Sequence, residues 1–213
     1  MTAILAVAYV ATAQPPQLEK GNTLLGVTST ASMGGSFGSD LMSIGMMRTR
    51  YTSGSDSYNE HKERSFSLIP KGGYFITGNL SAGLQMLFAR TSSQHVDSEG
   101  KWTGTTFAAG PWVRYYYPLE KVYPFAELEI MAGTCVEKYP TSGGDPDVYR
   151  YSLFNTGLSL GVAVPLADMV TLDILAGYSR SVWYEKEDYE GEEYDFREIY
   201  TGPVIRVGFT VFL

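Results

Sequence analysis

What most constrains this chain is a two-residue rhythm, carried by segments whose connections alternate strictly between short and long. Read with period two, it resolves into eight segments, each of roughly ten or more residues. They run 22–32, 65–75, 79–91, 105–117, 123–135, 149–164, 170–184 and 196–213. After residue 13 no capped helical pattern competes with them. Three connections are short (76–78, 118–122 and 165–169), and four are long and polar (33–64, 92–104, 136–148 and 185–195). Hairpins are therefore tight at one end and open at the other. A membrane-spanning barrel has that asymmetry, whereas a soluble meander has no physical reason to keep it.

The alternation inside the segments predicts which face meets lipid. In 79–91 one parity carries Leu80, Ala82, Leu84, Met86 and Phe88; the other carries Ser81, Gly83, Gln85, Leu87 and Ala89. In 105–117 the apolar parity holds Phe107, Ala109, Pro111, Val113, Tyr115 and Tyr117, against Thr106, Ala108, Gly110, Trp112, Arg114 and Tyr116. Segment 149–164 sets Phe154, Leu158, Leu160, Val162 and Val164 against Asn155, Gly157, Ser159, Gly161 and Ala163. Charges share a face with glycines, and small residues are needed where eight strands crowd inward. A soluble barrel would place its large apolar side chains inside. The apolar face is therefore read as outward, in lipid. Aromatics at the short turns (Tyr74, Phe75, Tyr115, Tyr116, Tyr117, Tyr123) and toward the long loops (Tyr149, Tyr151, Tyr178, Trp183, Tyr184, Tyr200) read as two interfacial girdles.

Composition closes off the competing classes. Average values (44% hydrophobic, mean hydropathy -0.09) and the lack of any long uncharged apolar run after residue 13 exclude a helical membrane protein. Aromatics at 14% with 18% charged residues exclude disorder. A net charge of -7 argues against a nucleic-acid partner. Cys135 alone makes no disulfide framework, and with two distant histidines it makes no zinc site. Residues 1–13, ending Ala11-Thr12-Ala13, read as a signal peptide with an A-x-A cleavage site. No basic residue precedes Lys20, so this leader reads as truncated. Residues 14–21 then form an N-terminal periplasmic segment, and 22–213 the barrel.

The stretches Pro70-Lys71-Gly72-Gly73-Tyr74-Phe75-Ile76, Gly78-Asn79-Leu80, Gly110-Pro111-Trp112-Val113-Arg114-Tyr115-Tyr116-Tyr117-Pro118 and Pro124-Phe125-Ala126-Glu127 resemble the small bacterial outer-membrane β-barrel family. That porin-like family is similar in architecture to the eight-stranded OmpA and OmpX barrels, and the resemblance covers about residues 22–213. It implies a bacterial outer-membrane location, outer-membrane lipids as surroundings and the barrel-assembly machinery as a partner. Val207-Gly208-Phe209-Thr210-Val211-Phe212-Leu213 resembles the terminal signal that machinery reads, with Phe209 and Phe212 supplying the rings.

The expected fold is thus all-β: one eight-stranded antiparallel up-and-down transmembrane β-barrel, monomeric because closure leaves no sheet edge. Inward parity collects Lys71, Gln85, Arg114, Glu127, Glu129, Asp173 and Arg206, three positive and three negative charges with one amide. At about 3.3 Å per residue and a tilt near 40° they fall within one band about 8 Å tall. Arg114 and Glu127 are expected on neighbouring strands, as are Asp173 and Arg206. An interior just wide enough for side chains would be filled by this layer, whereas an ion-selective constriction would need one sign of charge to dominate. The last connection holds Glu185, Glu187, Asp188, Glu190, Glu192, Glu193 and Asp195; with Glu198, against Lys186 and Arg197, they account for six of the seven net negative charges. They read as a solvated acidic extracellular loop open to an extracellular partner.

The function expected is non-enzymatic, structural and surface-interacting, with at most weak small-solute permeability. No cofactor, metal ligand or catalytic residue is nominated. His95-Val96-Asp97-Ser98 carries triad residue types, but four successive loop residues rarely converge. The alternatives are a lipid-modifying rim enzyme, with Ser98 and His95 its nearby candidates, and a soluble ligand-binding β-barrel.

Overall fold

The computed structural model describes residues 18–31, 45–53, 56–95, 101–117, 119–141, 144–189 and 192–213. The proposed leader and residues 14–17 lie outside the described residues. Among the described residues there are nine strands: β1 (Thr23–Ala31), β2 (Gly45–Ser53), β3 (Asp56–Phe75), β4 (Leu80–His95), β5 (Lys101–Tyr116), β6 (Tyr123–Tyr139), β7 (Asp147–Ala167), β8 (Val170–Tyr189) and β9 (Glu192–Phe212). All pairings are antiparallel between sequence neighbours, and β1 closes the sheet by pairing with both β9 and β3. β2 pairs with β3 at 56–65, beyond the stretch 69–74 that β1 occupies on the same edge. Nine strands thus make eight columns, the first shared by β1 and β2. The result is an all-β, closed, eight-stranded antiparallel barrel.

The register fixes the stagger. From Leu24 the partners run Gly73, Gly83, Trp112, Glu129, Gly157, Ser179 and Gly202, yet Leu24 itself opposes Phe212. One circuit therefore climbs ten residues, from Phe212 to Gly202. Such a shear tilts the strands and sets an interior that side chains can fill.

Strands β4 to β9 are 16 to 21 residues long, against the roughly 9–11 that cross a bilayer. The excess lies at the long-hairpin end, and there the sequence expectation needs correcting. Polar stretches read as open loops continue as paired strands: β2 and the start of β3 lie inside 33–64, and the acidic stretch runs up β8 and down β9, with Lys186 opposite Asp195 and Asp188 opposite Glu193. Where both sheet faces are wet, no apolar parity marks a strand, although the backbone ladder continues. The side chains of residues 185–196, and residues 190 and 191 altogether, lie outside the described residues.

The outer surface carries the apolar parity. Leu84 and Leu160 are each 69% exposed, and Met86, Phe88, Phe107, Val113, Leu128, Ile130, Leu158 and Ile174 are likewise uncovered. Apolar side chains facing outward round a closed sheet, with charges sealed inside, make this a transmembrane barrel. Tyr74, Tyr115, Tyr117, Tyr178 and Tyr184 lie on that outer surface. The girdle expectation fails for other rings: Phe75, Tyr116 and Tyr123 are buried inside, and Trp183 is 9% exposed. Parity explains it, since Tyr116 stands two residues from inward Arg114. Of the terminal rings only Phe209 faces outward; Phe212 is buried.

Candidate functional site

Each inward side chain is large where its neighbour is absent. Glu129 opposes Gly157, Phe125 opposes Gly161 and Trp112 opposes Gly83. A Cβ on Gly157 would meet Glu129 Oε1 at 2.6 Å, and one on Gly73 would meet the Trp112 ring at 2.6 Å. The glycines are the space into which the long polar and aromatic groups lie down.

Three layers result. At the short-turn end an apolar floor combines Leu18, Leu24, Phe75, Tyr116, Tyr123, Phe125 and Phe212, and the same cluster continues through Trp112 and Leu175, one inward position above Arg114 and Asp173. Toward the long hairpins Ile69, Leu87, Met131, Cys135, Leu153 and Trp183 form a second apolar layer. Between them lie the charges. Lys71 Nζ donates to Glu127 Oε1 at 2.8 Å, and Arg114 Nε donates to Glu127 Oε2 at 2.7 Å. Arg114 Nη1 reaches Asp173 Oδ2 at 2.6 Å and Tyr116 Oη at 2.9 Å. Arg206 meets both oxygens of Glu129, with Nη1 to Oε2 at 2.6 Å, and Gln85 Nε2 donates to Oε2 at 3.0 Å. Every member is buried, Arg114 and Asp173 completely.

Two circuits share the layer. Lys71, Glu127, Arg114 and Asp173 form a chain, while Arg206, Glu129 and Gln85 form a separate bidentate unit. Arg114 and Glu127 pair directly across neighbouring strands, as expected from sequence. Asp173 and Arg206 do not pair. Arg206 crosses the lumen to β6, and Asp173 is served by Arg114 and by the hydroxyls of Thr171 and Thr210, each at 2.8 Å. Sequence reasoning missed those threonines because they share the inward parity of Asp173 but carry no charge. The Arg114 guanidinium also lies 4.0 Å from the Phe125 ring centroid, so a ring supports it where no anion does. Chemically the layer holds charge in balance, with three cations against three carboxylates. Among the described residues no group of three or more His, Cys, Asp or Glu side chains is placed to hold a metal ion.

Of the other expectations, His95 ends β4, while Val96, Asp97 and Ser98 lie outside the described residues. Cys135 is buried and free in the upper apolar layer.

No protein-family model matches this chain, and no curated protein matches it. Solved structures are similar to it over most of their length. Neisserial surface protein A is 16% identical, with 90% of this chain and 97% of that one covered at a TM-score of 0.42. The attachment invasion locus protein Ail of Yersinia pestis is 15% identical, with 90% and 97% covered at 0.37. The outer membrane protease OmpT of Escherichia coli is 7% identical, with 90% and 93% covered at 0.37.

Proposed function

We propose that this outer-membrane barrel is a non-enzymatic envelope protein whose lumen is shut by its own side chains and whose tall hairpins present a surface outside the cell. The observation that carries the reading is the charge-balanced layer stacked between two apolar ones. Six ionised groups held within hydrogen-bonding distance of one another leave no single sign to attract a permeant ion. An ion entering would have to break pairs that are already desolvated. A soluble ligand-binding barrel would need an apolar interior and a polar exterior, the reverse of this arrangement. In this reading the lipids of the outer membrane surround a monomer, and the assembly machinery reads Phe209 and Leu213, which are exposed beside the closing seam.

The test is conductance of the refolded protein in planar bilayers. The parent should show no steady current. A variant emptying the layer, Lys71→Ala with Arg114→Ala and Arg206→Ala, should conduct if it folds. A parent that carries steady open-channel current overturns the closed-lumen reading.

A further inference from the structure

At the upper apolar layer and above it, the inward parity of β5 to β9 turns aromatic. Trp102 lies on β5, Tyr139 on β6, Tyr149 and Tyr151 on β7, Trp183 on β8 and Tyr200 on β9. Successive rings touch: Trp102 to Tyr139 at 6.1 Å and Tyr139 to Tyr149 at 5.4 Å between centroids, then Tyr151 to Trp183 at 5.7 Å and Trp183 to Tyr200 at 6.1 Å. Tyr149 and Tyr151 are two apart on one strand and so share its inner face. The two triads therefore join into one arc across five neighbouring strands.

The remaining wall is built differently. On β4 the residues opposite Gly104 and Trp102 are Thr91 and Ser93, small and hydroxylated. Among the described residues, two observations show that the arc is not packed over on its lumen side. Tyr139 and Tyr149 have inward parity yet are 40% and 36% exposed. A Cβ on Gly202, two residues from Tyr200 on the same inner face, would meet nothing within 4 Å. Beneath this space the Trp183 indole is nine-tenths buried and its N–H has no hydrogen-bond partner.

The chemistry of the cleft selects its occupant. Ring faces with phenol hydroxyls and the Glu137 carboxylate, which accepts from Tyr139 Oη at 2.8 Å, suit a molecule that is apolar on its flat faces and polar round its edge. A pyranose sugar has that form: its axial C–H groups lie against rings while its hydroxyls exchange hydrogen bonds. A wholly apolar ligand would strand the polar groups. An anionic one would meet the carboxylates of Glu137, Asp145 and Asp147. We propose that the mouth is a binding site for an uncharged saccharide, stacked on the aromatic arc and entered from the long-hairpin end. It does not depend on whether the ionic layer below conducts.

The test uses the full chain, fluorescently labelled and refolded in lauryldimethylamine oxide, because maltoside or glucoside detergents would themselves present a sugar. It is applied to a glycan array carrying neutral, sialylated and sulfated oligosaccharides. Binding to neutral glycans should appear, and fall by about tenfold or more in Tyr149→Ala and in Gly202→Leu, which fills the cleft. Tyr178→Ala, on the lipid face, should bind like the parent. Circular dichroism of each variant establishes that it is folded. The proposal is overturned if no neutral glycan binds above the Tyr149→Ala background, or if anionic glycans bind preferentially. It is equally overturned if the folded Gly202→Leu variant binds normally, or if 1-N-phenylnaphthylamine occupies the cleft while every sugar fails to compete.

Discussion

Arg206 and Arg114 carry the same charge in the same layer, yet their removal should be felt differently. Arg206 and Glu129 form a nearly self-contained unit with Gln85. Arg206→Met alone strands a buried carboxylate and should cost about 3–5 kcal/mol. Adding Glu129→Gln should recover most of that loss, since a complete buried pair can be replaced at little cost. The corresponding double change at Arg114 and Glu127 should recover less, because it leaves Lys71 and Asp173 charged with their shared partners gone. Urea unfolding of the refolded variants in lipid distinguishes these outcomes. If all of them stay within about 1 kcal/mol of the parent, the pairs behave as exposed ones and the layer is not sealed. The sequence made the members of this layer legible through parity alone. It did not reveal the wiring, because parity places a side chain on a face while only the register and the barrel's width decide that Arg206 reaches across to β6.

At the scale of elements, the short-turn ends were legible and the other ends were not. The turns at 76–79 and 168–169 fall where Gly78 and Asp168 interrupt an apolar parity. At the opposite ends the charged stretches 56–64 and 185–195 have no apolar parity to read, so β3 and β8 run on past the point where the pattern stops. The same blindness assigned Tyr151, Trp183 and Tyr200 to a lipid-facing girdle: clustering by height was visible, but the inward parity of those rings was overlooked. Extension beyond the bilayer has an energetic corollary. The β8–β9 hairpin above Tyr184 adds backbone ladder, and its sequence carries no apolar parity that would add to the lipid-facing band. Replacing 186–195 by Asn-Gly should therefore shift the unfolding free energy by less than about 1 kcal/mol. A loss of several kcal/mol would mean that the acidic hairpin is packed against the rest of the molecule.

At the scale of the whole molecule, the average hydropathy is misleading because the apolar residues are on the wrong side for a soluble protein. A chain with mean hydropathy of -0.09 should nonetheless stay with the membrane pellet through alkaline carbonate and high salt, and leave only with detergent. Release by carbonate alone would show that the exposed Leu84, Leu128 and Leu160 do not face lipid.

The seam between β1 and β9 sets the order of events during assembly. Thr23 and Leu213 exchange backbone hydrogen bonds at 2.9 and 2.8 Å, and β1 is zipped to β9 from Leu24 to Ala31. The other ladders join sequence neighbours, except β1–β3, which spans only β2; this one closes a loop of nearly the full chain length and carries its entropic cost. Until it forms, the sheet has two bare edges, and each is a template for pairing with another copy. The nascent polypeptide is therefore most prone to aggregate in the interval between making β8 and docking β9. That exposure ends only when the last strand finds the first.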